Sequence, residues 1–333
     1  MKPSQLIMFL KNTITHRLPV LITGEPGIGK TDCVYQAAKG TDLIVSHPVV
    51  SDPTDYKGLP FAISNGKSKK AEFLPFGELK ALIDAKKPTI FFMDDLGQAP
   101  PSVQAAAMQL ILARRINGHK VSDQVTFIAA TNRKSDRAGV KGILEPVKSR
   151  FATIVRLDVD VDDWIRWAIT EGLPTELIAF IKFRPNLLSA FRPTPDITNT
   201  PSPRTAHNVG KLMGMGIPRE IEYEVVSGAA GEGFAAEFTG FLRIFRNLPD
   251  PDAILLSPSS GEVPTDPATL FALCGALSRK ASETNFGRIA EYANRLPDEF
   301  NVMLIRDCVQ ITPEIQNTRA YIEWGAKHQD VLI

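Results

Sequence analysis

Gly24-Glu25-Pro26-Gly27-Ile28-Gly29-Lys30-Thr31 is the stretch that decides the fold. It has the form GxxxxGK[ST], follows the apolar run Leu18–Thr23, and precedes a helix expected from Lys30 to about Lys39. Glycines at this spacing let the backbone curl into a nest of N–H groups around a β-phosphate, and the next helix adds its N-terminal dipole. Lys30 then reaches the β/γ oxygens, and the Thr31 hydroxyl takes a Mg²⁺ position. These eight residues, with Asp32 in the same first turn, form the expected nucleotide contact set.

Outward from the loop, apolar strands alternate with helices. Asp42–Ser46, Thr89–Met93 and Val125–Ala130 read as strands, and 77–86 and 102–115 as helices. The continuous run Ile90-Phe91-Phe92-Met93 after Pro88 suits a central parallel strand covered on both faces. The class is therefore α/β, a P-loop NTPase core with a central parallel sheet flanked by helices. Asp94-Asp95 closes the Thr89–Met93 strand at the carboxyl edge of such a sheet. Asp94 suits a metal-holding role, directly or through water, and Asp95 the orientation and deprotonation of an attacking water.

Residues 1–17 read as a helix. Asn65-Gly66, between Phe61, Ile63 and Phe73, signals a hairpin near 61–73, and Asn117-Gly118 marks another turn. After Arg156 the strand pattern ends and helices predominate. Five prolines from Pro185 to Pro203, and five from Pro249 to Pro267, mark extended loops or linkers. Ser227–Gly233 reads as a hinge or loop, and 267–333 as four short helices cut by Pro297 and Pro313.

Composition excludes more than it specifies. The chain has 333 residues, 44% hydrophobic and 23% charged, ordinary values for a globular protein of about two domains. Lys+Arg 38 against Asp+Glu 37 leaves a charge of +1, which argues against nucleic-acid coating or binding to a membrane surface. No apolar run approaches the roughly 20 residues that span a bilayer, and the first residues lack a signal-peptide pattern. Cys33, Cys274 and Cys308 are too few and too far apart for a disulfide framework, which fits a reducing cytoplasm. The five histidines show no metal-ligand spacing. Trp164 and Trp167, at i and i+3, read as packing residues.

The ordered motifs resemble the AAA+ ATPases, in particular the MoxR-like, dynein-related branch. GEPGIGKT at 24–31 precedes IFFMDDLGQAPPSVQAAAMQLI at 90–111, similar to that branch's Walker B strand and following helix. TFIAATNR at 126–133 resembles the sensor-1 strand, ILEPVKSRF at 143–151 the segment ending in an arginine finger, and Ser202-Pro203-Arg204 the sensor-2 motif. The resemblance implies that Asn132 reports on the γ-phosphate and the lytic water. Arg150 would serve a neighbouring subunit's nucleotide, with Arg137 and Arg156 as rivals, and Arg204 would act from a lid in cis or in trans. It divides the chain into a nucleotide-binding core at 1–156, with the hairpin as an insert, a helical lid at 157–250, and a helical C-terminal extension at 251–333.

The implied activity is Mg²⁺-dependent ATP hydrolysis by a ring, six subunits by default, that remodels or activates a partner protein. Relatives of this branch suggest a von Willebrand factor A or metallopeptidase-like partner. Related ATPases place Glu where Asp95 stands. The shorter side chain opens a second reading, an ATP-gated scaffold with little turnover, since small positioning errors can slow a reaction about a hundredfold. A nucleic-acid motor or loader is a third, disfavoured by the neutral charge.

Overall fold

The computed structural model describes residues 1–64, 69–136, 142–194 and 196–328. The chain forms two compact units, Met1–Asp160 and Val161–Ile333.

The first unit runs α1 (Pro3–Thr15), β1 (Val20–Thr23), α2 (Lys30–Ala37), β2 (Asp42–Ser46), α3 (Pro53–Lys57), β3 (Leu59–Ser64), β4 (Lys69–Leu74) and α4 (Gly77–Asp84). It continues through β5 (Thr89–Met93), α5 (Pro101–Ala113), β6 (Arg115–Ile116), β7 (His119–Lys120), β8 (Val125–Thr131), α6 (Glu145–Lys148) and β9 (Thr153–Arg156). Five strands form one parallel sheet in the order β2-β5-β8-β1-β9. Successive residues of each strand point to opposite faces. Leu21, Phe91, Met93, Phe127 and Ala129 accordingly join the core under α3–α5, while Val20, Ile22, Ile90, Phe92, Ile128 and Ala130 join the core under α1 and α2. Burial on both faces is why β5 and β8 read as unbroken apolar runs.

Several elements differ from expectation. β9 is an edge strand of four residues with alternating partial burial, too short to carry a sequence pattern. α3 lies in a stretch rich in turn formers. Asp52 caps it, accepting from Thr54 N at 2.9 Å, while Asp55 accepts from Asp52 N at 2.8 Å. The Asn117-Gly118 turn joins β6 to β7, with φ of 49° and 87° at its two residues, as a two-residue hairpin of this kind requires. β3 and β4 pair from Leu59↔Leu74 to Ser64↔Lys69, the expected hairpin; its Asn65-Gly66 turn lies outside the described residues.

The second unit runs α7 (Val161–Thr170), α8 (Thr175–Phe183), α9 (Pro203–Gly214), α10 (Glu222–Ala230), α11 (Glu232–Arg246), α12 (Pro251–Leu256), α13 (Pro267–Arg279), α14 (Phe286–Ala293), α15 (Asp298–Ile311) and α16 (Arg319–Lys327). Ser227–Gly233 is not a loop. Helices α10 and α11 meet there, broken at Gly231 with φ 91°. The Pro249–Pro267 stretch contains α12, begun by Pro251 at the first helical position, where its missing N–H is no loss. Trp164 packs on Trp167 (6.2 Å between centroids), and Trp167 stands edge-on to His207 at 4.8 Å. Among the described residues, no helix is long and apolar enough to cross a membrane.

Candidate active site

In the parallel sheet β1, β8 and β5 are neighbours, so their carboxyl ends converge. Thr23 pairs with Thr131, and Met93 with Ala129, so the loop after β1, Asn132 after β8 and Asp94-Asp95 after β5 meet at one edge. This is the crevice where open α/β sheets hold ligands.

The loop turns at Gly27 and Gly29, with φ of 77° and 93°, values that L side chains rarely adopt. Gly24 is required for another reason. A Cβ there would stand 2.6 Å from Ile28 Cδ1 and 2.8 Å from the Leu157 carbonyl oxygen. The first internal bond of the helix runs from Cys33 N–H to Gly29 O at 3.0 Å. The amides of Lys30, Thr31 and Asp32 precede it and face the loop as a helix N-terminus. The Asp32 side chain itself is exposed, and Cys33 is packed in the core.

A continuous hydrogen-bond chain links the charged and polar groups. Lys30 Nζ, on a residue only 6% exposed, donates to Gly24 O (3.0 Å), Glu25 O (2.7 Å) and Asn132 Oδ1 (2.6 Å). Asn132 Nδ2 donates to Asp95 Oδ1 at 3.3 Å. Asp95 N–H donates to Asp94 Oδ1 at 3.1 Å, and Thr31 Oγ1 donates to Asp94 Oδ2 at 2.8 Å. Asn132 serves as acceptor and donor at once, through the two ends of its amide. Asp95 is in the left-handed region, φ 55° and ψ 34°, a conformation Asp tolerates better than most residues and one that recurs at functional sites.

Residues 20–159 match the family model described as ATPase family associated with various cellular activities (AAA). The matched stretch falls within the first unit. Solved structures similar to the chain include the P216G mutant of RuvB from Thermotoga maritima, at 18% identity over 82% of this chain and 80% of that one, with a TM-score of 0.43. NtrX from Brucella abortus in complex with ADP is 14% identical over 98% of this chain and 67% of its own, with a TM-score of 0.44. No curated protein matches the chain significantly.

The first unit contains a brace that the sequence reading missed. Arg133 Nη2 donates to Glu25 Oε1 at 2.5 Å, and Arg133 Nε to Asp136 Oδ1 at 3.0 Å. The Asp136 bond, against the opposing effect of burial and with help from Glu25, raises the Arg133 pKa further. The loop is thereby fastened to the residues after Asn132. The available signal was Arg133 directly following Asn132, with Asp136 three residues on.

Within the first unit, Arg150 and Arg156 are held by partners outside this hydrogen-bond chain. Arg150 lies in the turn after α6 and donates from Nη1 to Ser149 Oγ at 3.0 Å. The segment is nonetheless close to Asn132: Lys148 and Leu144 border the same 450 Å³ cleft as Asn132 and Thr131. Arg156 is engaged at the sheet edge by Asp158 (2.7 Å), and Arg137 lies outside the described residues. Arg204 belongs to the helical unit, in the first turn of α9. Ser202 caps that helix, accepting from Thr205 N at 3.3 Å, and the Arg204 side chain is exposed.

Proposed function

We propose that the protein is a Mg²⁺-dependent ATPase whose nucleotide is bound by Gly24–Asp32 and read by Asp94, Asp95 and Asn132. The observation that supports this best is the unbroken chain Lys30–Asn132–Asp95–Asp94–Thr31 at the carboxyl ends of β1, β8 and β5. The donor set suits the metal, since a hydroxyl and a carboxylate 2.8 Å apart are the hard oxygen ligands that Mg²⁺ accepts while keeping waters. When bound, the ion would neutralise charge on the phosphate oxygens.

Each residue has a distinct task. Loop amides and Lys30 hold the β- and γ-phosphate oxygens. Asn132, touching both Lys30 and Asp95, couples the phosphate to the base. Asp95 orients the water and accepts its proton. Arg150 supplies delocalised positive charge to the site of an adjacent subunit, and Arg204 contributes from the helical unit. A ring, six-membered by default, follows if Arg150 acts in trans. Its work would be that of a cytoplasmic MoxR-like chaperone acting on a partner protein, with 157–250 as lid and 251–333 as extension.

The test is the ATPase rate per subunit against protein concentration, for wild type and Arg150→Ala. A rate rising with assembly, and a fall of about 10³-fold or more in the variant, is expected of a shared arginine. A flat wild-type rate with an unaffected variant contradicts the shared site.

A second reading, an ATP-gated scaffold with little turnover, draws on Asp95. Its short carboxylate accepts a bond from Asn132, held on a left-handed backbone. Turnover raised by Asp95→Glu supports it; turnover unchanged or lowered does not.

A further inference from the structure

The helix that follows Asp94-Asp95 carries a buried polar side chain that the nucleotide reading does not use. Gln104 of α5 is 1% exposed, and both ends of its amide are committed. Nε2 donates to Ala99 O at 3.1 Å and to Gly142 O at 2.9 Å, and Oε1 accepts from Leu144 N–H at 3.0 Å. The position needs donors and an acceptor on one head, which an amide carries.

The partners of Gln104 belong to two segments, and each segment leads to a residue of the proposed site. Toward β5, Ala99 N–H donates to Leu96 O (3.2 Å) and Gln98 N–H to Asp95 O (2.9 Å), a tight turn that begins at Asp95. Toward α6, Leu144 O accepts from Val147 N–H (2.9 Å), and Val147 O accepts from Arg150 N–H (3.1 Å). Val147 is itself fixed in the core under α3–α5. Gly142 N–H adds a direct bond to Gly97 O at 3.2 Å. The two segments approach so closely that Gly97 has no room for a side chain; a Cβ there would overlap Thr131 Oγ1 and stand 3.4 Å from Ile143 Cγ1. Asp95, Gln104 and Arg150 therefore stand on one continuous line of hydrogen bonds. The segments cannot part at Gln104 without stranding a buried amide, and an unmet buried polar group costs more than a made bond returns.

We propose that Gln104 is a positioning residue: it locks the Arg150 segment to the Asp95 turn, so that the arginine presented to a neighbouring subunit is placed by the frame that holds this subunit's own base. The proposal rests on the ATPase reading, in which Asp95 takes the proton of the water and Arg150 acts in trans.

Gln104→Met keeps the length of the side chain and removes all of its hydrogen bonds. In hydrogen exchange on the full chain without nucleotide, peptides covering 142–151 should exchange about tenfold faster in the variant, with those covering 24–32 unchanged. The kcat for ATP should fall about ten- to a hundredfold at unchanged KM, as when a group acting in the transition state is displaced. Mixing gives the readout that a merely structural role would not move. Gln104→Met subunits keep Lys30 but misplace Arg150, whereas Lys30→Ala subunits keep a well-placed Arg150. The mixture should hydrolyse ATP faster than the sum of the two alone. Arg150→Ala mixed with Lys30→Ala is the control and gains rate if the arginine is shared. A gain in the control but not with Gln104→Met overturns the assignment, as does unchanged exchange at 142–151. No gain in the control overturns the shared arginine itself, and the assignment falls with it. Should Gln104→Met not fold, Gln104→Glu at pH 8 carries the same measurements, since it keeps the acceptor for Leu144 N–H and loses the donors.

Discussion

Lys30 in the first unit and Lys182 in the helical unit are both largely enclosed, yet they are held in different ways. Lys30 is positioned by two loop carbonyls and the Asn132 amide oxygen; Lys182 is neutralised by the Asp307 carboxylate. Neutral acceptors fix where a cation stands, whereas a carboxylate answers its charge. The first arrangement suits a lysine whose work is directed at an arriving anion. The second makes the lysine part of the packing between α8 and α15.

The largest expected effect that can break this contrast is at the second lysine. Lys182→Met leaves Asp307 buried beside an apolar side chain and should lower stability by about 3–5 kcal/mol, read from urea unfolding. A loss below about 1 kcal/mol would mean that the pair is more hydrated than its burial implies. At the first lysine's cradle, Gly24→Ala drives a methyl against Ile28 and the Leu157 carbonyl. About 1–3 kcal/mol of stability should go, together with nucleotide binding. A variant that unfolds and binds like the parent would show that the loop relaxes freely.

The brace is subtler. Arg133→Ala frees Glu25 and should raise the apparent KM for ATP about fivefold, the equivalent of that one partly exposed ion pair. It also leaves buried Asp136 without its cation, which should lower the melting temperature by a few degrees. An unchanged KM would leave Arg133 a purely structural role. The smallest effect expected is at Asp95→Glu. On the slow-turnover reading its longer carboxylate raises steady-state ATP hydrolysis severalfold, and a fall would show that Asp suits this site.

The two lysines also show what was legible in sequence. The Lys30 corner was open to reading because its logic is local: glycines at fixed spacing, then a helix, with Asp94, Asp95 and Asn132 each ending an apolar run. Two-sided burial makes such runs conspicuous, and the sheet delivers their ends to one edge. Arg133 was missed because its partner Glu25 is distant in sequence and an arginine after a strand is ordinary. The Lys182–Asp307 pair left no trace at all, since nothing local announces which helices will pack. The strands β9, β6 and β7 were equally silent, being too brief for any period to register, although Asn117-Gly118 did mark the turn between β6 and β7. Pro251 misled in the opposite direction, reading as a linker where it starts a helix.

The central claim is that a magnesium-bound adenine nucleotide is held by the loop after β1 through Lys30. Isothermal calorimetry with Mg²⁺ and a non-hydrolysable ATP analogue measures this directly, comparing the parent with Lys30→Ala. Saturable binding by the parent, weakened about a hundredfold or more in the variant, is the predicted result. No heat from the parent, or equal affinity in the variant, would contradict it.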